Sequence, residues 1–523
     1  MDETSGQIPS RRAEPAEHPP AAAGSPASAS GRPPADSRRW LVLAFVSLAQ
    51  LMVALDATVI NIALPSAQRS LHITDPQRQW VITAYTLAFG SLLLLGGQLA
   101  DTLGRKRTFL AGLAGFAAAS AAGGAAPDFA VLVAARAVQG AFAALLAPTV
   151  LSLLALMFTE AIQRAKAFAV FGAIAGTGGA VGLLLGGVLT EDASWRWCLF
   201  VNLPVAAVTL AGGWIFLPAV RGRQASPGAR FDVPGTVTVI GGLVALVYGF
   251  SQASSQGWGS AQVVASLAVG LVLIAAFVVV ESRVASPLLP LRIVTDRNRG
   301  GSYLTVALAV IGMYGLFLLL SYYFQAVMGY SPARAGVAFL PMSAAVLVGS
   351  TVVARKLLPL VRPRLLIVPG LLVAAAGMAS LTRLGIGSGY LAHVLPGELL
   401  LGLGMGCVFV PAISIATSGV GPADAGVASA IANTAQQVGA SLGVALLNTV
   451  ASSATAAYLA TGAHGPLGLA QGLVHGYATA AAWAAGTLVA AAVLAGILID
   501  AAKPAAGTAR PEDRSAQHEA SRA

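Results

Sequence analysis

The chain has 523 residues, of which 56% are hydrophobic and only 10% charged, against about 25% charged in soluble domains. That balance excludes a soluble globular protein and describes a polytopic membrane protein. The formal net charge of +10 would point to nucleic acid in a soluble chain. Here most basic residues fall in short loops between apolar runs, which is a pattern of membrane topology and implies no nucleic-acid partner.

Residues 1–39 are rich in Pro, Ala, Ser and Arg, bury no core, and are expected to form a disordered cytoplasmic tail. Fourteen apolar runs follow, each about 17 to 25 residues and long enough to cross a bilayer. They cover 41–64, 80–100, 108–126, 129–152, 168–189, 198–218, 235–252, 261–281, 302–325, 336–354, 365–385, 394–416, 426–450 and 476–499. The runs divide into an N-terminal six-helix half at 40–218, a central helix pair at 235–281 and a C-terminal six-helix half at 302–499, with a second disordered tail at 501–523. The central pair carries almost no polar residue and is expected to face lipid. Parallel halves around a midplane site are a common plan for secondary transporters.

With the amino terminus inside, the inner loops hold Arg105, Lys106, Arg107, Arg164, Lys166 and the basic residues of 221–230, 283–299 and 355–364. The outer loops hold Arg69, Arg78, Arg196, Arg334 and, at one boundary, Arg383. A bias of about three to one places both termini in the cytoplasm. Cys198 and Cys407 are far apart, so neither a metal cluster nor a disulfide framework is suggested. No Gly-Lys dipeptide occurs, which excludes a nucleotide-binding P-loop. No histidines are paired at metal spacing, no cofactor is implied, and nothing suggests an enzyme.

Charges inside the runs carry the functional signal. Asp56 interrupts the first run, and an acid retained in hydrocarbon usually faces a protein or water-filled interior on a substrate or proton path. Arg136, in Arg136-Ala137-Val138-Gln139-Gly140 of the fourth run, needs a counter-charge. At 1.5 Å rise per residue, Asp56 lies about 22 Å above the inner end of its span and Arg136 about 24 Å above its own. They share a depth, so Asp56 is the expected partner. Glu398 lies near the outer end of the twelfth run, where snorkelling or capping competes with a proton-linked role.

Closing the second run is Gly97-Gln98-Leu99-Ala100-Asp101-Thr102-Leu103-Gly104-Arg105-Lys106-Arg107. Gly97 allows close helix approach, Gly104 permits a tight turn, and Asp101 sets a negative charge where a cation or helix end can meet it. In the fifth run Gly178, Gly182 and Gly186 recur every four residues, a flat stripe for close packing. The thirteenth run sets Asn433, Gln436 and Gln437 on one side, facing a cavity or another helix. Asn61 and Gln139 add polar positions. Tyr322 and Gln325 at the end of the ninth run either line an outer vestibule or belong to the interfacial belt.

The loop G-Q-L-A-D-T-L-G-R-K-R resembles the signature loop of the major facilitator superfamily. The resemblance implies an all-α fold of two six-helix halves, with Gly97, Asp101, Gly104 and Arg105 as a conformational latch whose partner lies near Gly421 to Gly426. R-A-V-Q-G at Arg136 resembles the family's fourth-helix motif, whose arginine is linked to proton transfer. Gly176 to Gly187 resembles the antiporter motif, although Leu183 stands where that motif usually has proline.

L-D-A-T-V-I-N-I-A-L-P at Leu55, S-W-R-W-C-L-F-V-N-L-P at Ser194 and Q-A-V-M-G-Y-S-P-A-R-A-G at Gln325 resemble the fourteen-span drug:proton antiporter branch. That branch implies proton-coupled multidrug efflux, and hence antibiotic resistance, by a chain functional as a monomer in a bacterial cytoplasmic membrane. Asp56 and Arg136 would carry the proton coupling; Asn61, Gln139, Tyr322, Gln325, Asn433, Gln436 and Gln437 would line the substrate cavity. The same fold also permits a uniporter or proton symporter importing a small metabolite.

Overall fold

The computed structural model describes residues 35–158, 160–217, 232–284, 287–358, 360–420, 424–462 and 465–501. Gly421 to Ala423 and nearly all of both expected tails lie outside them. Among the described residues the regular structure is entirely helical. In chain order the helices are α1 (Ala35–Ser70), α2 (Asp75–Arg78), α3 (Trp80–Leu103), α4 (Arg105–Gly124), α5 (Phe129–Met157), α6 (Ala161–Asp192), α7 (Trp197–Phe200), α8 (Asn202–Phe216), α9 (Val233–Gln256), α10 (Ala261–Glu281), α11 (Leu291–Val294) and α12 (Arg297–Tyr322). They continue with α13 (Pro332–Ala338), α14 (Leu340–Val348), α15 (Arg355–Leu357), α16 (Arg364–Leu381), α17 (Leu395–Thr417), α18 (Ala425–Leu459) and α19 (Gly465–Leu498). Turns of π-helix at Tyr323–Val327, Gly349–Ala354 and Tyr390–Val394 adjoin α12, α14 and α17.

Twelve helical stretches among the described residues are long and apolar enough to cross a bilayer. The third and fifth expected spans are helices too, α4 and α6, but neither belongs to that set, so the count of fourteen is not established. α4 opens on Arg105-Lys106-Arg107 and is rich in Gly and Ala, which lowers its hydropathy, and several side chains of α6 lie outside the described residues. Several helices also outrun the expected boundaries. α1 begins inside the expected tail and has 36 residues, about 54 Å of helix against a hydrocarbon core of about 30 Å. A helix satisfies its own backbone, so it continues past the membrane edge wherever the sequence allows.

Within the N-terminal half α3 packs on α5, α1 on α6 and α4 on α5; in the C-terminal half α16 packs on α17 and α12 on α18 and α19. The halves meet mainly through α3 against α18 and α6 against α13. The central pair departs from expectation. α9 packs against both α3 and α18, with Leu243 and Val247 buried beside Leu87 and Ala445. Trp80 donates to the Ser251 hydroxyl (3.1 Å) and Thr449 to the Phe250 carbonyl (2.8 Å). α9 is a strut between halves, and its partner α10 carries most of the lipid-facing surface.

The glycine stripe of α6 lies on α1. A Cβ at Gly178 would stand 2.8 Å from the Ala54 side chain, and one at Gly186 2.8 Å from the Val59 carbonyl. At Gly182 it would strike the Thr58 hydroxyl and stand 2.9 Å from the Leu55 carbonyl. Leu183 causes no break: α6 runs continuously through it, and its carbonyl faces Gly336 of the other half. Gly182→Val is expected to lower thermal stability in detergent by about 1–3 kcal/mol through overpacking. Gly426→Ala, where added volume meets nothing within 4 Å, should cost no stability in the same melt.

Candidate functional site

Asp56 and Arg136 are an ion pair, with Arg136 Nη1 2.7 Å from Asp56 Oδ2 and their side chains 0% and 1% exposed. The same Nη1 donates to Gln139 Oε1 (2.8 Å), and Arg136 Nε donates to the Val81 carbonyl (3.1 Å). Asp56 Oδ1 accepts from Gln139 Nε2 (2.8 Å) and from Asn202 Nδ2 (2.9 Å). Ser120 Oγ accepts from both amides (3.2 and 2.9 Å) and donates to the Leu199 carbonyl (2.8 Å). The Arg136 guanidinium lies 4.3 Å above the Tyr85 ring.

Three donors point at the two Asp56 oxygens, and the carboxyl faces the positive charge that offsets its burial. α1, α3, α4, α5 and α8 each supply a member, so the cluster lies wholly within the N-terminal half. Sequence reasoning found Asp56, Arg136 and Gln139 but missed Ser120 and Asn202. Asn202 stands in the quoted S-W-R-W-C-L-F-V-N-L-P stretch, and the lone amide at the start of an apolar run was the available signal.

Other expected cavity residues lie elsewhere. Asn61 donates to the Ala57 carbonyl of its own helix (3.1 Å), and its backbone carbonyl accepts from Ser321 of the other half (2.9 Å). Gln325 Nε2 donates to the Ile62 carbonyl (3.1 Å). Tyr322 donates to Gln68 Oε1 and lies 4.0 Å beneath the Arg78 guanidinium. Arg78 also donates to Asn448 Oδ1 (2.9 Å). In this conformation Asn61, Tyr322 and Gln325 therefore seal the halves together instead of lining an open vestibule. This end of the bundle, called here the Arg78 end, carries residues 71–79 and 328–331.

On the same end the Glu191 carboxylate accepts from the Ala333 N–H (3.0 Å), and Gly187 meets the Pro332 and Ala333 backbone. Hydrogen bonds from the Ser331 hydroxyl and the Ala333 N–H hold the Glu191 carboxyl below the usual carboxylate range. Asn433, Gln436 and Gln437 are half-buried on α18. Asn433 donates to the Ser429 carbonyl of its own helix (3.0 Å), and Gln437 sits against Gly90 of α3. Glu398 is completely buried, which overturns the snorkelling alternative: its neighbour Gly397 packs on Ser380 and Leu381 of α16, and Tyr390 reaches its carboxyl.

At the opposite end Gly104 adopts φ +93° between α3 and α4, a conformation that side-chain-bearing residues rarely take. Arg105 reaches the Ser152 carbonyl (3.4 Å), while Lys106 caps the Trp214 and Leu217 carbonyls (2.6 and 2.9 Å) at the end of α8. Gly97 lies on the Pro148 side of α3. The Asp101 side chain lies outside the described residues. Asp424, in its expected partner region, is bound bidentately by Arg292 (2.7 and 2.9 Å). That bond holds the Asp424 carboxyl below its ordinary range.

A long helical bundle in two halves, with a satisfied charge cluster inside one and a polar seal between them, is a multi-pass membrane transporter. Residues 46–444 match the family model described as Major Facilitator Superfamily, and the chain belongs to that superfamily. It is similar to the puromycin resistance protein pur8 of Streptomyces alboniger, 55% identical over 90% of this chain and 93% of the relative. It is also similar to the cephamycin export protein CmcT of Amycolatopsis lactamdurans, 42% identical over 82% and 88%. The fold matches a bacterial homologue of the human lysosomal transporter Spinster in an inward-facing, unoccupied conformation (TM-score 0.63, 16% identity, covering 90% of this chain and 98% of that one).

Two outcomes follow from the geometry. Arg136→Met leaves a buried carboxylate without its cation and should destabilise the protein by about 3–5 kcal/mol. Pairing it with Asp56→Asn should restore most of the loss, as read by thermal unfolding. At the Arg78 end, a carboxyl held below its normal range contributes above that range and is lost as pH falls through its own lowered value. Acidification should therefore loosen the Glu191–α13 contact, and Glu191→Gln should abolish that acid response in the labelling rate of a cysteine substituted for Ala333.

Proposed function

We propose that this chain is a proton-driven exporter of hydrophobic, drug-like compounds, acting as a monomer in a bacterial cytoplasmic membrane with both termini inside. The observation that supports the proton coupling is the buried Asp56, paired with Arg136 within the superfamily fold. Relatives named for puromycin resistance, cephamycin export and tetracenomycin C resistance and export support the direction of transport and the substrate class.

Under this topology the Arg78 end faces outward and is shut. An exporter that has discharged its proton inside and awaits substrate stands in this state. Asp56 is enclosed by side chains of its own half, so its role is to serve the proton instead of touching the substrate. Protonating it would remove the charge that holds Arg136 Nη1. The guanidinium would stay tied to α3 through the Val81 carbonyl and the Tyr85 ring. Since α3 packs against α18, proton loading would then be felt at the seam between the halves. Asp101 and Gly104, at the inner hinge of α3, would bias the same equilibrium.

The direct test adds puromycin, then a panel of hydrophobic toxic compounds, to energised everted vesicles and follows lumenal pH with a fluorescent probe. The wild-type chain should release protons on substrate addition, and Asp56→Asn should not. An Asp56→Asn protein that folds and exchanges protons at the wild-type rate would remove this role.

A further inference from the structure

Glu398 occupies a place that the Asp56 cluster does not use. It lies in the first turn of α17 at the Arg78 end, 0% exposed. Its Oε2 is 3.1 Å from the Tyr390 hydroxyl, its Oε1 has no hydrogen-bond partner, and the same hydroxyl is 2.7 Å from the Ala338 carbonyl. A phenol has one proton to give, and the Ala338 carbonyl can only accept. Both contacts are satisfied when Glu398 Oε2–H donates to Tyr390 Oη while Tyr390 O–H donates to Ala338. An ionised Glu398 would instead set two acceptors against one proton and leave a buried charge without a cation.

The surroundings supply no alternative partner. Arg334 lies over the Tyr330 ring at 3.9 Å, Tyr323 donates to the Gly385 carbonyl (2.8 Å), and His393 is exposed with its ring nitrogen 3.3 Å from the Gly389 carbonyl. Ser380 of α16 lies beside Gly397, but its hydroxyl and that of Ser343 on α14 donate to the Gly377 and Phe339 carbonyls of their own segments (2.6 and 3.4 Å). Tyr390 packs on Phe324 (6.0 Å), which packs on Phe339 (5.2 Å).

The chain of hydrogen bonds ends on a helix that closes the bundle. Ala338 is the last residue of α13, and Pro332 and Ala333 at its start meet Gly187 and Glu191 of the other half. We propose that Glu398 is a second proton-binding site, in the C-terminal half, occupied while the Arg78 end is shut. Loss of its proton breaks the link to Ala338 and releases α13 from α6. The inference extends the proton-driven reading and rests on it for the direction of the gradient, but its test reads conformation and not transport.

Spin labels on Gln77→Cys and Thr461→Cys, both exposed at the Arg78 end on opposite halves, report the opening; the native Cys198 and Cys407 are buried. In nanodiscs the wild-type distance should lengthen in alkaline buffer. Glu398→Gln, whose amide donates to Tyr390 as the acid does, should stay short there. Tyr390→Phe, checked for folding by gel filtration, should be long at every pH. Glu191 titrates in the opposite sense, so only acid loosening belongs to it. Alkaline lengthening in Glu398→Gln equal to wild type, or none in wild type, overturns the proposal. Absence of substrate-driven proton release would sink the export reading alone.

Discussion

Burying a charge in a low-dielectric interior is the constraint on which the rest of this structure depends. Removing an ion from water costs several kcal/mol even after relaxation, and only a counter-ion with well-formed hydrogen bonds offsets it. Asp56 and Arg136 meet that demand by drawing groups from five helices. Those helices are thereby held in register around a single carboxylate. Arg136 is bonded to α3 as well as to Asp56, and α3 also forms the seam with α18, so the ion pair and the contact between the halves share one helix. A residue that is costly in every state is a natural place for a switch, since changing its charge changes which neighbours are satisfied.

The seam itself is built from two materials. Where the halves approach closely, glycine makes room: Gly187 meets Pro332 and Ala333, Gly336 meets the Leu183 carbonyl, and Gly90 meets Gln437. At the Arg78 end polar contacts are added, with Arg78 shared between Asn448 and the Tyr322 ring. Close backbone packing without large interdigitating side chains resists rocking little, whereas the polar contacts are few and reversible. α9 packs against both α3 and α18 along this seam, so this helix is part of the interface between the halves and not merely an insertion.

Much of the site was legible because membrane burial makes charge conspicuous. Asp56 and Arg136 stood out as ions in apolar runs, and helix rise alone placed them at one depth. Ser120 and Asn202 did not stand out, since an uncharged hydroxyl or amide in a helix is compatible with many neighbours. Asn61, Tyr322 and Gln325 were recognised as important polar positions, but their role depends on which end is closed, and hydropathy carries no such information. Glu398 was read as near a membrane edge, whereas the turn that carries Tyr390 lies on it and it is removed from water. Of the fourteen expected spans, α4 and α6 are helices that fall outside the twelve found among the described residues.

By itself, then, the sequence determined that this chain is a helical membrane protein in two halves, that one acid and one arginine share a depth, and that its motifs are those of the major facilitator superfamily. These follow from one-dimensional quantities: run length, residue type and spacing along a helix axis. The tertiary structure decided which face of each helix meets which neighbour. It enclosed Asp56 by its own half, turned presumed vestibule residues into a seal, made α9 a strut and buried Glu398. The physical reason is that depth is written along the chain, while rotation about the helix axis and contact between distant helices are settled only when all the helices pack at once.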